Sequence, residues 1–269
     1  WYKLYLDQYT GRLLSTPMSI THYLTDWLLS LHYTFLLGFS VTVLGAIFAI
    51  ILLFLGVSGI ILHRQFWKKL FTLRLNAAKR VFFSDVHKFI GIISSPLILI
   101  LAFTGGYYNI ATLLHEATEH LEQHPTLEAP LYSKTLDFQQ LLDNTQKHIN
   151  GYQANYMTFP FESDRQVTFY GQVPTGNPLT SEYASTITYH RETGKLISSY
   201  DIREASALNV TLDSFRKLHF GYFAGLTSKI IWCVLGLSPL WLSLTGLYFY
   251  LFRKKRGSRR VVQTNQVTV

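Results

Sequence analysis

Three stretches of this chain carry no Asp, Glu, Lys or Arg: Tyr33 to Leu62 is 30 residues, Phe89 to Leu114 is 26, and Ile230 to Phe252 is 23. A helix rises about 1.5 Å per residue, so roughly 20 apolar residues cross a hydrocarbon core about 30 Å thick. Each stretch is long enough to span. Uncharged apolar runs of this length mark membrane helices rather than the core of a soluble protein. None is a signal peptide, because each lies inside the chain and exceeds the apolar region such a peptide carries. The fold class that follows is a membrane α-helical bundle with three spans here. Pro96 and Pro239 fall inside spans and are expected to kink them.

The charge has a side. Among 269 residues 24 are Lys or Arg and the formal net charge is +8, a balance that on a soluble chain would suggest nucleic acid. Its distribution argues otherwise. Arg64, Lys68, Lys69, Arg74, Lys79, Arg80 and Lys88 lie between the first two stretches, and Arg253, Lys254, Lys255, Arg256, Arg259 and Arg260 follow the third, together 13 of the 24. Short loops rich in Lys and Arg stay in the cytoplasm. The partner is the lipid bilayer, with no nucleic acid, and segments 1–31 and 115–218 lie outside. Three spans with an external first segment require an earlier span or a removed signal to export it. The chain opens at Trp1 in mid-pattern, so its true beginning is expected to be missing.

Between the second and third spans the composition is mixed. Leu136 to Ile149 has helical spacing and stops at Gly151; Tyr156–Phe159, Gln166–Tyr170 and Thr186–His190 read as strands. The turn Glu192-Thr193-Gly194 joins the last of these to Lys195–Ser199 as a hairpin. The result is a small α+β domain on the membrane. The chain also repeats itself. Leu4 to Leu14 parallels Ile187 to Ile197 around a Thr-Gly turn; Leu31-His32 followed by Gly38 matches Leu218-His219 followed by Gly225; Ser58-Gly59 matches Thr245-Gly246.

The run Ser58-Gly59-Ile60-Ile61-Leu62-His63-Arg64 with Phe66, then Arg74, Asp85-Val86-His87-Lys88-Phe89-Ile90-Gly91, Pro96 and Thr104-Gly105, resembles the PepSY-associated transmembrane family, and the Leu-His pairs at His32 and His219 fit the same pattern. The resemblance covers nearly the whole chain. It implies a four-span bacterial inner-membrane protein with periplasmic α+β domains of PepSY type, some members being haem-containing reductases of ferric siderophores. The first span of the family, with its own histidine near the cytoplasmic side, has no counterpart here. The expected organisation is a remnant of a first periplasmic domain over 1–23, a membrane helix over 24–63, a cytoplasmic basic loop over 64–86, a membrane helix over 87–114, a periplasmic domain over 115–215, a membrane helix over 216–253 and a cytoplasmic basic tail over 254–269.

Four of the ten histidines stand at span ends, His32 and His219 outside, His63 and His87 inside. Imidazole beside hydrocarbon is costly and wants a partner, and haem iron accepts it axially. Positions 32 and 63 are about 46 Å apart along a straight helix, so they cannot share one haem. Pairing at one membrane level sets His32 with His219, and His87 with His63 or with the histidine of the missing span. Solvated or backbone-bonded interfacial histidines are the plainer alternative. Haem b is the expected cofactor, two in the complete protein. His115, Glu119, His120 and His124 could hold a metal on one helical face, although such runs are more often solvated. Gly38, Gly45, Gly56 and Gly59 could admit a flat macrocycle or equally serve close helix packing.

One cysteine, Cys233, excludes a disulfide framework and a four-cysteine iron–sulfur cluster, leaving the histidines to carry redox chemistry. There is no dinucleotide fingerprint or Walker motif, and the loop over 63–88 is too short for a nucleotide-binding domain. Electrons would come from a quinol or a separate donor protein. The expected function is a haem-dependent ferric-siderophore reductase that moves electrons across the bacterial inner membrane to a periplasmic ferric chelate for iron uptake. The alternative is a cofactor-free, membrane-anchored PepSY module that binds or regulates a protease, transporter or other partner.

Overall fold

The computed structural model describes residues 2–7, 9–38, 41–62, 73–119, 130–160 and 165–266. Among them three helical stretches are long and apolar enough to cross a membrane: Thr42–Leu62, Lys79–Thr118 and Gly225–Arg253. A separate α+β domain is inserted between the last two.

The chain opens with β1 (Tyr2–Lys3) paired antiparallel to β2 (Met18–Ser19), enclosing a hairpin held by the Leu6–Leu13 bridge. Helix α1 (Leu24–Thr34) follows, and then α2 (Thr42–Leu62). The expectation of one continuous membrane helix over 24–63 is therefore corrected: the stretch holds two helices, and only α2 is long and apolar enough to cross a membrane. The chain leaves α1 at Phe35 and Leu36, both with positive φ (51° and 62°). Thr34 closes the helix by donating its hydroxyl to the Ser30 carbonyl at 2.8 Å, the same carbonyl that takes the Phe35 N–H. Left-handed backbone at two bulky residues costs of order 1–2 kcal/mol each. A uniformly apolar run carries no periodicity that could reveal such a break.

Helix α3 (Lys79–Glu119) has 41 residues and is about 60 Å long, twice the thickness of a bilayer core. It exceeds the expected 87–114 at both ends, because charged side chains are compatible with helix once it leaves the hydrocarbon. Arg74 donates from Nε and Nη2 to both oxygens of Asp85, each at 2.9 Å, fastening the segment before α3 onto the helix. Helices α2 and α3 pack through small residues. A methyl added to Gly45 would meet the Asn109 side chain, one added to Gly56 would meet Leu99, and one added to Gly106 would lie 3.3 Å from the Ala49 Cβ. Gly45 and Gly56 thus serve close helix approach.

The inserted domain starts with α4 (Phe138–His148), capped by Asp137, whose carboxylate accepts from the Gln140 N–H. Strands β3 (Gln153–Thr158), β4 (Val167–Gln172), β5 (Ser185–Tyr189) and β6 (Leu196–Tyr200) form an antiparallel meander in sequence order. Alternate residues Val167, Phe169, Ile187 and Tyr189 turn inward and pack with Leu141, Ile149, Tyr152 and Ile202. The expected helix, strands and hairpin all appear, with strand ends moved by a few residues. Gly171 of β4 runs so close to β3 that a methyl there would collide with the Gln153 carbonyl oxygen and the Tyr152 ring (2.6 Å from Cζ). Gly171→Ala is expected to destabilise this domain by about 3 kcal/mol through overpacking against backbone. A urea melt followed by sheet circular dichroism reads it, and a midpoint equal to wild type would contradict the close approach.

The internal repeat is structural. Asp7 N–H donates to Arg12 O (2.9 Å) and Gly11 N–H to Asp7 O (2.8 Å); His190 N–H donates to Lys195 O (2.8 Å) and Gly194 N–H to His190 O (2.8 Å). The first side chain plays the same part in both turns. Asp7 Oδ1 accepts from the N–H groups of Tyr9 and Thr10, as His190 Nδ1 does from those of Glu192 and Thr193.

After a 3-10 turn (Ile202–Glu204) comes α5 (Ala207–Phe220), capped by Ser206 and ended by Gly221. Helices α6 (Gly225–Gly236) and α7 (Ser238–Gln266) make the last span. The expected membrane helix over 216–253 is corrected accordingly: residues 216–220 belong to α5, and the last span starts at Gly225 and breaks at Leu237. The physical reason for that break is Pro239, whose ring has no N–H for the Leu235 carbonyl; Ser238 Oγ supplies the donor instead, at 2.6 Å. In α3 the same device keeps the helix running through Pro96, where Ser95 Oγ donates to the Ile92 carbonyl at 2.8 Å.

Candidate functional site

His32 lies in the last turn of α1 and His219 in the last turn of α5, 187 residues later. The fold brings them together at the sheet-domain end of the bundle, with ring centres 6.2 Å apart and ring planes inclined by 43°. Two imidazole nitrogens each about 2.0 Å from one metal ion would set their ring centres roughly 6 Å apart. His32 is exposed and His219 half-buried. Around His219 stand Tyr108 and Phe220, each ring edge-on at 5.6 Å.

The hydrogen bonds fix the protons on His219. Its Nδ1 lies 2.9 Å from Thr104 Oγ1. A threonine hydroxyl has one hydrogen, and Thr104 gives it to the Ile100 carbonyl four residues back, at 2.7 Å. Thr104 must therefore accept from Nδ1–H, which leaves Nε2 with its lone pair. Burial, with the His32 ring beside it, holds the His219 imidazole down to about 4, so it is neutral at pH 7. A neutral ring with Nδ1–H engaged is the form that ligates a metal. Gly105 makes room for it, since a methyl there would stand 3.2 Å from His219 Cε1.

The same arrangement recurs at the other end of the bundle. His87 Nδ1 lies 2.6 Å from Thr245 Oγ1 of α7. Thr245 donates its own hydrogen to the Trp241 carbonyl at 2.8 Å, so it too accepts from Nδ1–H. The Phe249 ring stands 6.1 Å from the imidazole. Each threonine precedes a glycine (Thr104-Gly105, Thr245-Gly246), a recurrence visible in the sequence. The link from each Thr-Gly pair to its histidine crosses 115 or 158 positions, and only folding makes it.

His63 lies outside the described residues, as do His120 and His124, and the side chain of Glu119 is likewise outside them. The pairing of His87 with His63 and the metal set His115, Glu119, His120 and His124 therefore have no described geometry. Among the described residues no group of three His, Cys, Asp or Glu is placed to hold a metal ion.

A family model described as PepSY-associated TM region matches residues 1–253. The chain belongs to this family. PepSY-associated character thus extends over the N-terminal hairpin, the sheet domain and all three candidate spans. Uncharacterized protein PA4219 of Pseudomonas aeruginosa (strain PAO1) is 25% identical to this PepSY-associated chain over 252 residues. The match covers 85% of this chain and 64% of that protein, so the chain spans less than two thirds of its relative's length.

Proposed function

We propose that this PepSY-associated chain belongs to a bacterial inner-membrane protein that carries electrons across the bilayer through b-type haem and reduces a ferric chelate, such as a ferric siderophore, in the periplasm. The carrying observation is the pair His32 and His219, whose ring centres stand 6.2 Å apart. A haem bound there would supply reversible one-electron redox chemistry. His219 would present Nε2, kept in that tautomer by Thr104, and His32 would present the opposing nitrogen from its exposed side. Gly105 leaves the imidazole its place, and Tyr108 and Phe220 shield it from water. At the other end His87, held by Thr245, would be one ligand of a second haem, with His63 or a histidine of a further span as the other.

The concentration of Lys and Arg in 64–86 and 253–260 supports a cytoplasmic location for that end, which would put the sheet domain in the periplasm, where it could present the chelate. A quinol or a separate donor would supply the electron. Hard oxygen chelators hold ferrous iron far less tightly than ferric iron, so one electron releases the metal. A specific observation favours a second reading. Leu4, Leu6, Leu13 and Leu14 of the first hairpin are exposed, and so is every residue of β6, surfaces suited to a partner protein bound by a cofactor-free module.

The absorption spectrum of the full chain, purified from cells with ample haem, separates the two. A dithionite-reduced α band at the b-type position is expected; a colourless protein would sink the reductase and leave the partner-binding module. Thr104→Val keeps the shape and removes the acceptor for Nδ1–H. It is expected to weaken haem retention about 10-fold and to move the reduction potential, with Thr104→Ser restoring both. An unchanged potential in Thr104→Val would show that the hydroxyl does not position the ring.

A further inference from the structure

Where α5 passes into α6, Glu182, Arg216, Phe220, Tyr222 and Lys229 line a cavity of about 430 Å³. Its charges are unevenly satisfied. Tyr222 donates its hydroxyl to Glu182, 3.1 Å from Oε1 and 2.9 Å from Oε2. Arg216 Nε lies 3.5 Å from Glu182 Oε1, within ion-pair reach, yet this buried N–H has no hydrogen-bond acceptor among the described residues. The guanidinium is fixed by stacking, its central carbon 4.7 Å from the Tyr183 ring centre and 5.6 Å from that of Phe220. Lys229 stands exposed on the second turn of α6. Two cations and one carboxylate leave a formal charge of +1 facing the cavity, a match for the single negative charge of a phosphodiester.

The surroundings set the level. The last span begins at Gly225; Phe220 in the cavity wall, and Leu226 and Ile230 in the same first turns of α6 as Lys229, are 54%, 72% and 54% exposed. An apolar collar next to a cationic pocket, at the end of a membrane helix, is the environment of a phosphate carried on an acyl-chain lipid.

We propose that this cavity binds a phosphoryl group through Arg216 and Lys229, with Glu182 and Tyr222 holding the guanidinium in place. The group is carried either by a phospholipid headgroup or by a soluble phosphate. The test is thermal unfolding of the delipidated full chain in neutral detergent. Three additives are compared: dioleoyl phosphatidylglycerol, inorganic phosphate, and dioleoylglycerol, which has the same tails without the phosphate. A rise in Tm of about 5 °C with the phospholipid is expected at saturation, more than halved in Arg216→Gln and in Lys229→Gln. A rise with the phospholipid and none with inorganic phosphate assigns the headgroup; equal rises assign a soluble phosphate. No rise with either phosphate source, an equal rise with dioleoylglycerol, or a rise undiminished in the variants overturns the proposal. Should Arg216→Gln fail to fold, Lys229→Gln decides alone, because its side chain packs in no core.

Discussion

The His219→Ala protein is expected to leave the membrane without the reduced α band of the proposed haem at the sheet-domain end. Removal of a direct ligand costs affinity beyond the 10- to 100-fold lost with an outer-shell partner. The decisive comparison is His32→Ala, which should lose the same band. The two residues sit in different surroundings: His219 is half-buried and bonded to Thr104, whereas His32 is exposed. A merely structural role for His219 would leave a cavity and lower the melting temperature with no reason for His32→Ala to mimic it. Their common feature is the shared space between rings 6.2 Å apart. Loss of the band in one variant and its full retention in the other would refute the pairing. His87→Ala, at the far end of the bundle, should leave this band in place.

Gly221→Ala is the second large effect. Gly221 ends α5 with φ +68°, a conformation that costs an L residue about 1–2 kcal/mol. The added methyl would also run into Trp232 of α6, 2.6 Å from Cδ1 and 2.7 Å from Cβ. Trp232 has little freedom to withdraw, because its Nε1–H donates to the Leu218 carbonyl at 2.7 Å. Overpacking of this kind adds about 1–3 kcal/mol, so the melting temperature should fall by roughly 10 °C. Gly225→Ala is the control. It has φ +64° and open space around the added methyl, so it carries the backbone strain alone and should lose only about a third as much. Equal losses would mean that the collision does not occur. The collision would push α6 away from the end of α5, two residues from His219, so the band of the proposed haem should shift as well in Gly221→Ala.

Some of the site could be read along the chain. The Leu-His pairs at 31–32 and 218–219 share an offset of 187 with Ser58-Gly59 and Thr245-Gly246, and this repeat, with the common outer level of the two histidines and the family resemblance, points to His32 opposite His219. The role of the threonines was not legible. Thr104 and Thr245 look like ordinary small residues in apolar helices until their hydroxyl hydrogens are found on the carbonyls four residues back and their oxygens under a distant imidazole. Glu182, Arg216 and Lys229 are three scattered charges in sequence, and they line one cavity only because the loop before β5 is held to α5, where Ser181 donates to Asp213 from N and Oγ.

The sequence by itself determined that three stretches can span, that the basic residues cluster between and after them, the strands and the Thr-Gly hairpins, because each follows from local energetics: the cost of charge in hydrocarbon, the two-residue period of a pleated strand and the geometry of a tight turn. Only the tertiary structure decided where the helices break at 35–38 and 221–224, which proton each histidine carries, and which charges face one another. Those depend on hydrogen bonds and packing between residues more than a hundred positions apart, or on a balance of strain and capping that a uniformly apolar segment does not display.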